Sequence, residues 1–60
     1  MNTKLKERRM KLGFTQVQIA EKASISERAY QNYENGEQVP NVQTAKLIAK
    51  ALKSKVEDIF

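Results

Sequence analysis

Between Thr15 and Gly36 the chain reads T-Q-V-Q-I-A-E-K-A, then S-I-S, then E-R-A-Y-Q-N-Y-E-N-G. Two short helical patterns lie on either side of a break of a few residues. Each has its own start signal. The hydroxyls of Thr15 and Ser26 can accept from the free N–H groups of a first helical turn. The second pattern closes on Asn35-Gly36, a strong stop, because glycine takes the positive φ that ends a helix without steric cost. This stretch therefore folds as two short helices joined by a tight turn, and the flanking segments must supply the core that holds them.

Sixty residues make one domain, residues 1–60. A chain of this length buries only about 60% of its unfolded surface, so its stability is marginal. It has neither cysteine nor histidine. That excludes a disulfide staple and the usual zinc sites, and no cofactor is expected. No apolar run approaches the roughly 18 residues of a membrane span, and no signal-peptide pattern is present. The expectation is a soluble, cytoplasmic domain without membrane attachment. A net charge of +4 leans toward a polyanionic partner.

The flanking segments supply three further helical patterns. Asn2 or Thr3 can cap a helix over Lys4 to Leu12, in which Leu5, Arg9 and Leu12 share a face. Lys4, Lys6, Glu7, Arg8 and Lys11 fall elsewhere, as a solvated face or a phosphate-attracting one. Gly13 ends that helix. Phe14 and Gln18 hold the N′ and N3 places around the Thr15 cap, so Phe14 should fold back near Ile19 as a hydrophobic staple. Ile19, Ala20 and Ala23 form the inner face of the second helix. Ile25 plugs the turn, and in the third helix, Glu27 to Asn35, Tyr30 and Tyr33 point inward. After a loop containing Pro40, Asn41 caps a fourth helix over Val42 to Leu52. Val42, Ala45, Ile48, Ala49 and Leu52 make its core stripe. Val56, Ile59 and Phe60 suggest a last helical turn. The fold class is all-α, with five helices.

Two short helices joined by a tight turn form a helix-turn-helix, whose second helix can lie in the DNA major groove. The order T-Q-x-x-I-A-E-K, I-S, Y-E-N-G, P-x-V-x-T-A, I-A-K-A-L and V-E-D-I-F resembles the lambdoid Cro and CI repressors, the Xre family of bacteria and phage. The resemblance runs from Leu5 to Phe60. It implies a compact five-helix, lambda-repressor-like domain that binds an operator in double-stranded DNA as a homodimer. It also implies a bridge between Arg9 and Glu34 linking the first and third helices. Arg9 stands on an apolar face, where a charge needs a partner. Removing one member of a buried pair costs ~3–5 kcal/mol.

The outward residues of the third helix are candidates for base contacts. Arg28 can fork onto guanine O6 and N7, and Asn32 can pair with adenine N6 and N7. Gln31 flanks them. Glu27 can accept from cytosine N4, or simply stabilise the helix N-terminus through the dipole. Gln16, at the first helical position after Thr15, can donate to a phosphate. The resemblance implies backbone contacts for Gln16, Ser26 and Asn35. Ser26 and Asn35 also have capping and terminating roles that need no DNA.

The chain departs from the family pattern in three places. Ser24 replaces a glycine in the turn, at a cost of roughly 1 kcal/mol if the backbone there is left-handed. Glu37-Gln38-Val39 replaces a loop that is often basic, so the usual loop contacts to phosphate are not expected. Lys53-Ser54-Lys55 leaves the final turn without its apolar plug and cap. Arg28 is thus the one firm cation on the expected DNA side, opposite Glu27 and Glu37, and few phosphate contacts imply a shallow salt dependence. Two functions fit. One is a transcription regulator, as a repressor, dimerising through Val56, Ile59 or Phe60. The other is a protein-interaction or antitoxin-like module on the same fold. Catalysis is not expected: there is no histidine or cysteine, no phosphate-cradling glycine loop and no converging pair of carboxylates. No small-molecule substrate is expected either.

Overall fold

The computed structural model describes residues 2–60. Five helices follow one another: α1 (Thr3–Lys11), α2 (Gln16–Lys22), α3 (Glu27–Asn35), α4 (Val42–Ala51) and α5 (Val56–Ile59). There is no strand among the described residues. The fold is therefore all-helical, as the resemblance implies. α2 packs on both α3 and α4, α1 packs on α3 and α5, and α5 also closes against α4.

The starts of these helices follow from single polar side chains. Asn2 Oδ1 accepts from the Leu5 amide at 3.0 Å. Thr15 and Gln18 form a reciprocal capping box: the Gln18 amide donates to Thr15 Oγ1 at 3.1 Å and the Thr15 amide to Gln18 Oε1 at 2.8 Å. Ser26 Oγ accepts from the Ala29 amide, and Asn41 Oδ1 from the Thr44 amide. Each such cap satisfies a donor that the first helical turn leaves free, worth about 1 kcal/mol. Lys55 gives α5 no side-chain cap.

The ends share one device. After α1, α2, α3 and α4 the backbone turns left-handed, at Gly13 (φ 77°), Ser24 (φ 58°), Gly36 (φ 78°) and Lys53 (φ 53°). In each case the next amide reaches back to a carbonyl five residues earlier: Phe14 to Arg9, Ile25 to Ala20, Glu37 to Asn32 and Ser54 to Ala49. This closure is easy for glycine. At Ser24 and Lys53 the side chain opposes it by roughly 1 kcal/mol each.

The core is Leu5, Ile19, Ala20, Ala23, Tyr30, Ile48, Ala49, Leu52 and Ile59. Leu12, Phe14, Ile25, Tyr33, Ala51 and Val56 pack against it while partly exposed. A leucine or isoleucine removed fully from water contributes about 1.5–3 kcal/mol, so a handful of side chains holds the fold. Val42 is a correction to the sequence reading. The helical repeat assigns it to the core stripe of α4, but it is 71% exposed. It stands at the first position of α4, one turn before Ala45, the first buried residue of that helix. Val39 is likewise exposed, while Pro40 between them is buried.

Asn2 ties three elements together. Beyond capping α1, its backbone amide donates to the Glu34 carbonyl at the end of α3, and its side-chain amide donates to the Ile59 carbonyl of α5. Arg8 makes a second tie. Its Nε donates to the Leu52 carbonyl at 2.9 Å and its Nη2 to the Lys53 carbonyl at 3.2 Å. A guanidinium thus serves the free carbonyls at the C-terminus of α4, where the helix dipole also favours a cation.

Candidate nucleic-acid interface

Two N-caps and an apolar plug hold the α2–turn–α3 unit together. Ile25 packs against the core in the turn, and its amide closes on Ala20. Tyr30 is fully buried beneath α3, which fixes the rotation of that helix about its axis. The opposite side of α3 is then set by helical geometry. Glu27 and Arg28 are exposed, while Gln31 and Asn32 are half-buried. Ser26 is exposed at the start of α3 and Asn35 at its end. Gln16 is half-buried at the start of α2. All the residues singled out by the sequence for base or backbone contact therefore keep a solvent-facing side.

Arg9 and Glu34 form a forked pair. Arg9 Nε donates to Glu34 Oε2 at 2.9 Å and Nη2 to Oε1 at 3.0 Å. The side chains are 13% and 4% exposed, so this pair is largely out of water. Arg9 Nη1 also donates to the Phe14 carbonyl at 2.9 Å, at the entry to α2. Burial pushes the Glu34 carboxyl up, but hydrogen bonding and the charge of Arg9 outweigh it and hold the carboxyl below its ordinary range. The Arg9 guanidinium is pushed up by the same bond. Burial also pushes the Tyr30 phenol well up, and its hydroxyl has no well-formed hydrogen bond among the described residues.

The pair reaches the surface through Gln16. Its Nε2 donates to Glu34 Oε1 at 3.2 Å. A carboxylate only accepts, so the amide must present its nitrogen to Glu34. The second N–H and the carbonyl oxygen then remain for another partner. Ser26 is similar. Its Oγ accepts from the Ala29 amide, which leaves its own O–H free to donate. Gln16 and Ser26 thus present donors without fixed charge, next to the charged side chains of Glu27 and Arg28.

Gln38 was missed in the sequence. Its Oε1 accepts from Asn32 Nδ2 across a long 3.4 Å, and its backbone amide donates to the Asn32 carbonyl. The loop that lacks basic residues thus steadies Asn32 instead. An amide side chain two residues after the closing glycine is the only signal for this, and it is a weak one. Sequence pattern assigns Arg8 to a solvated or phosphate-attracting face, whereas its guanidinium is committed to the carbonyls at the end of α4. Lys4, Lys6 and Lys11 of the same helix stay exposed. At the end of the chain, Ile59 is core, Val56 is half-buried and Phe60 keeps 40% exposure. Of the residues considered for dimerisation, Phe60 offers the most free surface.

No group of His, Cys, Asp or Glu that could hold a metal occurs among the described residues. No helix there is long and apolar enough to cross a membrane.

A helix-turn-helix family model matches residues 5–59. Among curated proteins, the chain is 33% identical over 60 residues to the uncharacterized HTH-type transcriptional regulator YgzD of Bacillus subtilis, covering all of this chain and 91% of that protein. An uncharacterized HTH-type transcriptional regulator of Methanothermobacter thermautotrophicus is 36% identical over 61 residues, with 88% of it covered. One from Archaeoglobus fulgidus is 32% identical over 60 residues, with 86% covered. No solved structure matches the chain significantly.

Proposed function

The chain belongs to the helix-turn-helix family of the Cro/CI, or Xre, type, and we propose that it is a repressor that reads operator DNA with α3. Family membership makes it a non-enzymatic, DNA-binding regulator of transcription. The finer reading rests on one observation: Tyr30 anchors α3 from below and turns its polar side outward. In this reading Arg28, Gln31, Asn32 and Glu27 meet base edges in the major groove, and Gln16, Ser26 and Asn35 meet the sugar–phosphate backbone. The protein acts in the cytoplasm as a homodimer on two half-sites, with centres about 10 base pairs apart. Phe60 contributes to the dimer surface.

A second reading is favoured by Glu27 and Glu37, both exposed on or beside the reading helix. Carboxylates there repel phosphate and suit a protein partner, as in an antitoxin-like module. Selection of bound duplexes from a random pool separates the two. Enrichment of a two-half-site sequence supports the operator reading. Absence of enrichment, together with an Arg28→Ala variant that behaves like the parent, supports the module.

A further inference from the structure

A shallow depression of about 400 Å³ lies along the seam of α2 and α4. Its lining is Phe14, Leu47 and Ala51, with Lys22, Lys50 and Lys53. Phe14 and Ala51 are half-buried against the core, and Leu47 remains 41% exposed. All three lysines are exposed, and no acidic residue lines the depression. A depression over α1 and α5 differs in this respect, because Glu7 and Asp58 stand among its lysines and Arg8.

Two details sharpen the arrangement. Lys22 Nζ sits 5.1 Å from the centroid of the Phe14 ring, a cation–π distance that keeps a positive charge at the rim. Lys53 holds its place in a left-handed conformation (φ 53°) that glycine or asparagine would adopt more easily.

We propose that this depression docks an acidic amphipathic segment of another protein. Its apolar side chains cover Phe14, Leu47 and Ala51, and its carboxylates meet Lys22, Lys50 and Lys53. The lining alternates an apolar floor with a wholly cationic rim, which selects that chemistry over a neutral or basic segment. No residue of α3 takes part, so the docked segment leaves the reading helix free, and the proposal does not depend on the operator reading.

The test uses the full chain and a fluorescein-labelled peptide with Leu and Phe at helical spacing and Glu and Asp at the other positions. Anisotropy should rise to saturation, and backbone amide shifts should centre on Phe14, Lys22, Leu47 and Ala51. Lys50→Glu, at an exposed position, should weaken binding by about tenfold. Leu47→Asp should do the same while its melting curve stays cooperative. The proposal is overturned by shifts centred on Gln16 and Arg28, which would make the peptide a DNA mimic. Equal binding of a Lys/Arg version of the peptide, undiminished binding by Lys50→Glu, or absence of saturation also overturns it. Self-association of the parent chain that Leu47→Asp abolishes would assign the depression to a second copy, against the proposal.

Discussion

Replacing Glu34 by glutamine probes the joint on which the fold and the proposed interface both turn. The substitution keeps the shape and removes the charge. Glu34 accepts from Arg9 Nε, Arg9 Nη2 and Gln16 Nε2, at 2.9, 3.0 and 3.2 Å. A glutamine retains one acceptor oxygen and turns an NH2 toward donors that already fill the space. Arg9 then keeps its bond to the Phe14 carbonyl but loses its counter-charge. Breaking a buried pair by removing one partner costs ~3–5 kcal/mol. Because Arg9 retains 13% exposure, and so some hydration, the lower end applies here: about 3 kcal/mol. At roughly 0.05–0.15 kcal/mol per residue, a chain this short has only about 3–9 kcal/mol in total. One atom-for-atom substitution therefore removes between a third and all of its stability. For a variant that still folds, the midpoint falls by about 12–24 °C. Thermal and urea unfolding followed by circular dichroism measure it, in a cycle with Arg9→Met and the double variant. The reasoning fails if Glu34→Gln costs less than about 1 kcal/mol, or if the two single changes simply add.

Other perturbations test separate parts of the account. Ser24→Gly relieves a left-handed serine at φ 58° and should raise stability by up to about 1 kcal/mol, read from the urea midpoint; a loss would show that the Ser24 side chain matters in some other way. Acid should unfold the protein through Glu34. Its carboxyl is held below its ordinary value of 4.5, so its contribution is present above that value and disappears as pH falls through the lowered one. Glu34→Gln should flatten stability against pH in that window, and an unchanged slope would place the acid sensitivity elsewhere. Operator affinity should fall gently with salt, because Arg28 is the single exposed cation on α3; a slope matching ~10 phosphate contacts would contradict this.

The starts of the helices were legible because a cap is a local device. Thr15 and Gln18 stand three residues apart, and both hydrogen bonds of the box form within one turn. The glycine closures at Gly13 and Gly36 were legible for the same reason. Lys53 was not, since a lysine gives no sign of a left-handed backbone; the conformation is held by amides of Lys53 and Ser54 reaching back to Lys50 and Ala49. Arg8 looked like any surface cation, because its partners, the carbonyls of Leu52 and Lys53, lie more than forty positions along the chain. Val42 fitted the helical repeat, but a repeat does not say where the opposing helix stops. At the candidate interface, residue type and helical phase sufficed to expect a solvent-facing side for Gln16, Arg28, Gln31 and Asn32. They could not foretell that Gln16 is bonded to the Arg9–Glu34 pair or that Gln38 leans on Asn32, since both depend on how α1 and the loop fold back on α3.

The central claim is that α3 reads DNA sequence. Sequencing duplexes selected by the parent chain and by Arg28→Ala tests it most directly. The account predicts a site of two half-sites about 10 base pairs apart, in which the variant loses preference at one guanine per half-site and keeps it elsewhere. The same ranking of sites for parent and variant, or no ranking for either, would contradict it.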